Sequence, residues 1–124
     1  MHSLHRLKAM TLLVFGLRDA AERVFDAMLQ LWPHDPYALR SRSHLRMQRN
    51  DVAGGILDAQ ALVRQHPERS AGDWFNLAYL LEHANRLDEA EAAFRKAVAI
   101  DPKLDRAWYG LGLTLIRLNR FDEA

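Results

Sequence analysis

The 124-residue sequence has no cysteine, which excludes disulfide scaffolds, thiol nucleophiles, iron–sulfur clusters and cysteine-ligated zinc. Six glycines and four prolines are too few for a collagen-like or low-complexity chain, and the 49% apolar content is too high for a disordered one. No apolar run approaches the ~18 residues that a membrane-spanning helix needs. Charge of one sign is also lacking. The net charge is +1; residues 1–70 carry ten Lys/Arg against seven Asp/Glu, and residues 71–124 carry seven against nine. Neither half has the field of a nucleic-acid or membrane-surface binder. Arginine outnumbers lysine fourteen to three, a bias read as genome base composition. Arg6 and Lys8 precede the apolar run 10–17, which mimics a short signal peptide, but Arg18 and Asp19 follow at once. The segment therefore reads as structural helix, and a cytoplasmic address is the expectation.

What is present is self-similarity. Pro33, Pro67 and Pro102 lie 34 and 35 residues apart. Ala21-x3-Phe25-x2-Met28 leads to the first, Ala90-x3-Phe94-x2-Ala97 to the third, and a weaker Gly55, Ala59, Leu62 to the second. A second column runs Gly16, Asn50, Asn85, Asn119, and a third runs Asp19, Ala53, Asp88, Asp122. Trp74-x2-Leu77-Ala78-x2-Leu81 returns 34 residues later as Trp108-x2-Leu111-Gly112-x2-Leu115. Gly and Asn tolerate the left-handed backbone that stops a helix. Asp three residues on is placed to cap the next helix. Ala permits close helix approach, Phe one turn later fills the gap, and Pro prevents continuation. The unit is helix–turn–helix, and one unit cannot bury its apolar face alone.

The spacing predicts helices over 2–15, 19–31, 36–49, 53–65, 71–84, 88–100 and 105–118, with an eighth beginning near Asp122. Gly54 and Gly55 each weaken the fourth helix by about 1 kcal/mol relative to alanine, so the second unit is expected to be the soft one. Trp108, Leu111 and Leu115 are expected to be partly uncovered.

These phrases resemble the tetratricopeptide repeat, W-x2-L-G-x2-Y, A-x3-F, then P on a 34-residue period. The third unit, 71–104, carries Trp74, Leu77, Ala78, Leu81, Ala90, Phe94, Ala97 and Pro102, and the fourth follows from 105 to Ala124. The first, 2–35, has His5 and Lys8 in place of Trp and Leu. The second, 36–70, has Arg42 and Arg46 in place of apolar residues and Gly55 in place of Ala. The resemblance implies an all-α fold: a right-handed α-solenoid of about three and a half repeats forming a single array over residues 1–124.

It also implies a concave groove lined by the first helix of each unit. Alignment places Tyr37, Arg40, His44 and Met47 there from the second unit, and Phe75, Asn76, Tyr79, Glu82 and His83 from the third. Arg106, Tyr109, Leu113 and Arg117 come from the fourth. Aromatic rings beside arginines suit a peptide or helical segment of a partner protein carrying an apolar anchor and a carboxylate. The carboxylate-clamp subclass, which grips chaperone tails, expects Lys and Asn where Arg40 and His44 stand and Arg where Gly110 stands. Chaperone-tail binding is therefore not expected.

Other constellations read as structural. His2 and His5 lie three apart, but the first helix supplies no third ligand, so both are expected to be solvated and no metal is expected. His34 and His66 fall in turns read as solvent-facing. No phosphate loop, nucleophile elbow or paired carboxylates appear, so no enzyme activity and no cofactor are expected. Arg42, Arg46 and Arg49 form a stripe at i, i+4, i+7. That stripe is either a solvated helix side or a site for RNA, phosphate or an acidic peptide. The reading is a non-enzymatic protein-interaction module and assembly scaffold. The alternatives are self-assembly into homo-oligomers through residues 108–124, RNA binding through helix 36–49, or the noncatalytic repeats of a larger enzyme such as a repeat-bearing glycosyltransferase.

Overall fold

The computed structural model describes residues 2–14 and 16–118. Among them seven helices follow in order: α1 His2–Val14, α2 Arg18–Leu31, α3 Pro36–Gln48, α4 Val52–Gln65, α5 Ala71–His83, α6 Leu87–Ile100 and α7 Asp105–Arg117. No strand occurs among the described residues. The helix expected near Asp122 and the column residue Asn119 lie outside the described residues. Two compact units result, Met1–Ala61 and Leu62–Ala124. No helix among the described residues is long and apolar enough to cross a membrane.

The helix stops follow the Gly/Asn column. Gly16, Asn50 and Asn85 have φ of 73°, 65° and 61°. Each lets the next residue's N–H reach a carbonyl five residues back: Leu17 to Leu12 at 2.8 Å, Asp51 to Arg46 at 2.7 Å, Arg86 to Leu81 at 2.9 Å. The helix starts do not follow the Asp column. Asp19 and Asp88 lie inside the first turns of α2 and α6, where they suit the helix dipole. The cap positions are held by Leu17 and Arg86, with no side-chain bond. Capping is done elsewhere: Asp35 accepts from Ala38 N–H (2.9 Å), Asp51 from Gly54 (3.0 Å) and Ser70 from Asp73 (3.3 Å).

In the first unit α1 packs on α2 and α2 on α3. Ala9, Ala21, Val24, Phe25, Met28, Ala38 and Leu45 form its core. In the second unit α6 lies against both α5 and α7, burying Leu77, Ala78, Leu81, Ala90, Phe94, Ala97 and Ala107. Ala21 and Ala90 are fully buried, and Phe25 and Phe94 fill the space one turn on. Trp74 and Trp108 donate their indole N–H to the carbonyls of Pro67 and Pro102, both at 2.7 Å, so these prolines are acceptors as well as helix stops.

Several side chains differ from expectation. Leu111 and Leu115 are buried, and only Trp108 of that trio is half-exposed, because α7 turns both leucines inward. His2 and His5 are not simply solvated: the His2 ring stacks on Trp32 at 3.9 Å with its Nε2 2.8 Å from Asp35, and His5 meets Trp32 edge-on at 5.6 Å. His66 is half-buried rather than solvent-facing.

Candidate functional site

In α5, Phe75, Tyr79 and His83 follow at i, i+4, i+8 and form one stripe. The Phe75 and Tyr79 rings are 6.4 Å apart, and the His83 ring is 4.3 Å from Tyr79. Phe94 from α6 lies beneath, 5.9 Å from Phe75. From α7, Arg106, Tyr109 and Leu113 face the same space at i, i+3, i+7. Gly110 makes this possible, because a Cβ there would meet the Phe94 ring at 2.5 Å. The result is a cavity of about 430 Å³ lined by Phe75, Tyr79, Phe94, Tyr109, Leu113 and Gly110, with Glu82, Asp105 and Arg106 as its charged members.

The Arg106 guanidinium carbon sits 4.9 Å from the Phe75 ring centroid, a cation–π seat that holds the charge beside the apolar floor. Tyr79 and Tyr109 are exposed and available to an incoming side chain. Arg117 is engaged elsewhere: it donates to Asn85 Oδ1 at 2.9 Å and lies 4.0 Å from Glu82. Asn76 is half-buried and does not line the cavity. Tyr37, Arg40 and His44 belong to the first unit and do not line it either. There Tyr37 packs edge-on against Phe25 at 5.8 Å beneath Arg6, Arg40 is half-buried, and His44 is exposed. Phe94 and Gly110 were not legible as site residues: one reads as core filler and the other as a clamp mismatch. Their role comes from one close approach between α6 and α7.

The arginines of the stripe are all engaged by carboxylates, Arg42 and Arg46 half-buried in α3 and Arg49 exposed at its end. Arg42 grips Asp58 with Nε (2.9 Å) and Nη2 (2.7 Å) and reaches Asp26 with Nη1 (2.8 Å). Arg46 donates to the same Asp58 at 3.3 Å and lies 3.6 Å from Glu22. Arg49 pairs with Glu22 and lies 3.7 Å from Asp19. The Asp58 hydrogen bonds hold the Arg42 guanidinium above its ordinary range, and Glu22 does the same for Arg49. Three arginines face four carboxylates, so the stripe presents no basic patch for RNA. Among the described residues no group of His, Asp and Glu is placed to hold a metal ion.

The helix–turn–helix units, their stops and their Trp–Pro ties repeat at the same interval. Tetratricopeptide-repeat models match residues 6–70, 40–105 and 105–124. The chain belongs to the tetratricopeptide-repeat family. No curated protein sequence matches it. Solved tetratricopeptide structures share the fold. A crystal structure of MamA has a TM-score of 0.87 at 20% identity, covering 93% of this chain and 67% of that one. MamA 41-end from Desulfovibrio magneticus RS-1 gives 0.86 at 20%, covering 99% and 69%. The first TPR of Spaghetti (RPAP3), bound to the HSP90 peptide SRMEEVD, gives 0.85 at 14%, covering 95% and 93%. This chain thus spans about two thirds of the MamA chains. Tetratricopeptide repeats are in general non-catalytic protein-interaction modules, and this chain has their fold.

Proposed function

We propose that residues 1–124 act as one repeat array that binds a segment of a partner protein and brings it into a larger assembly. The carrying observation is the apolar cavity between α5, α6 and α7, floored by Phe75 and Phe94 and edged by the exposed rings of Tyr79 and Tyr109. An aromatic or aliphatic anchor of the ligand enters this space. Its neighbouring carboxylate meets Arg106. Recognition is preorganised, because the rings are already stacked and little side-chain entropy is lost on docking.

The peptide held by the first TPR of Spaghetti is rich in carboxylates, and a carboxylate near the anchor is what Arg106 favours here. The chaperone-tail mode itself is not proposed. The clamp arginine would stand at Gly110, where Phe94 leaves no room for any side chain.

The test is a paired pull-down from the source cell extract with the wild-type chain and a Tyr79→Ala/Tyr109→Ala variant. Both tyrosines are exposed, so the variant keeps its fold. A bound protein should be lost by about tenfold or more with the variant, the scale of removing aromatic anchors. Equal capture by both chains refutes the cavity as the binding site.

A further inference from the structure

The cavity between α5, α6 and α7 carries its charges at opposite ends. Phe75 of α5 meets Arg106 of α7, and Glu82 of α5 meets Thr114 of α7. The two helices therefore run side by side in the same direction. The seven-residue step from Phe75 to Glu82 is a helical rise of about 10 Å. Tyr79 on α5 and Tyr109 and Leu113 on α7 fall between these ends and line the space.

The basic end is occupied, because the Arg106 guanidinium lies on the face of Phe75. The acidic end is underfilled. Glu82 lines the cavity with its side chain only 19% exposed. Arg117 Nη1 stands 4.0 Å from its carboxylate, and Nη2 of the same arginine is given to Asn85 at 2.9 Å. The Thr114 hydroxyl is 3.5 Å from Glu82 but donates to the Gly110 carbonyl at 2.8 Å. Neither reaches the roughly 2.7–2.9 Å of a charge-assisted hydrogen bond. Asp105 adds a second carboxylate to the lining, so two acidic groups stand against one basic one.

These features select the ligand group. A carboxylate shielded from water by aromatic walls is costly until a strong donor reaches it. Ring faces attract cations. A group that answers both has a cationic head on an apolar stem. Arginine fits better than lysine: its planar head stacks on rings, forks onto a carboxylate and is more weakly hydrated. The chain makes the ring contact with its own arginines, Arg106 on Phe75 at 4.9 Å and, in the first unit, Arg6 on Tyr37 at 4.4 Å.

We propose, resting on this cavity as the partner-binding site, that the bound segment is anchored by an arginine. Its stem lies against the Tyr79 and Tyr109 rings and its guanidinium forks onto Glu82. Glu82 is then the residue that selects the anchor, and Arg106 at the other end keeps a second cation away.

The test begins with phage-displayed random dodecapeptides selected on the whole chain. Selected peptides are fluorescein-labelled and titrated by fluorescence anisotropy against wild type, Tyr79→Ala/Tyr109→Ala and Glu82→Gln, with circular dichroism checking each fold. Peptides that need the two tyrosines should share an arginine. Replacing it by citrulline, which keeps the shape and removes the charge, should weaken binding to wild type about tenfold. Glu82→Gln should weaken the arginine peptide by a similar factor and the citrulline peptide by less than about twofold, the coupling of a direct pair. Peptides that need the tyrosines but carry no arginine overturn the arginine anchor and leave the cavity as the binding site. So does a citrulline effect of equal size on wild type and Glu82→Gln. Peptides that bind the tyrosine variant as tightly as wild type, or a library that yields no binder, overturn the cavity reading and this inference with it.

Discussion

In α5 the side chains that face the unit's second helix are Leu77 and Leu81, with Ala93 in α6 on the other side, and all three are buried. Thirty-five residues earlier the same register holds Arg42 and Arg46 in α3, with Asp58 in α4. The helices keep their lengths and their turns in both places. What differs is the adhesive. One unit uses dispersion and apolar burial. The other uses a bidentate arginine–carboxylate fork, with Asp58 only 3% exposed. A repeat frame set by its stops and spacing thus tolerates a change of chemistry at its centre, provided every charge finds a partner.

Breaking one side of that comparison should have the largest effect. Asp58→Ala leaves Arg42 and Arg46 without the carboxylate they share and should destabilise the chain by about 3–5 kcal/mol. Urea titration followed by circular dichroism measures it; a loss below about 1 kcal/mol would mean that the fork behaves as a surface pair. Erasing the difference should have the opposite sign. Arg42→Leu, Arg46→Leu and Asp58→Ala together rebuild the apolar set of the second unit and should match the wild type or exceed it by about 1–4 kcal/mol. A triple variant weaker than Asp58→Ala alone would show that the ionic set fits a shape leucines cannot fill.

The smallest effects sharpen the contrast at two helical glycines. Helix propensity alone predicts that alanine improves both. At Gly54 a Cβ would lie 2.3 Å from Asp51 Oδ2 and 3.0 Å from Arg46 Cδ, so Gly54→Ala displaces the helix cap and should cost about 1–2 kcal/mol. At Gly112 nothing lies within 4 Å, so Gly112→Ala should add about 0.5–1 kcal/mol. The same urea titrations decide both.

This glycine pair marks what can be read from a sequence. The helices lie within a residue of their predicted ends because Gly16, Asn50 and Asn85 announce the stops and Pro33, Pro67 and Pro102 the turns. Those signals are local. The caps at Asp35, Asp51 and Ser70 were hidden by the more regular Asp19 and Asp88 column, which falls two residues past the cap positions Leu17 and Arg86. The fate of Arg42 was hidden for a different reason. Its partners Asp26 and Asp58 each lie sixteen residues away on other helices, outside any helical period. The aromatic cavity was half legible. Phe75, Tyr79 and Tyr109 stand out as rings on a solvent-facing stripe, whereas the space between them exists because Gly110 lets α7 settle onto Phe94.

The charged set at Arg42, Arg46 and Asp58 also constrains how this protein can change over generations. A single step from either arginine toward leucine removes one of the two guanidiniums that hold the buried Asp58, and a step at Asp58 leaves Arg42 with Asp26 alone and Arg46 with Glu22 alone. Each intermediate is worse than either endpoint, so the three positions should drift together or not at all. In any set of descendants they form one heritable character, whereas Leu77 and Leu81 can be exchanged one at a time for aliphatic residues of similar volume.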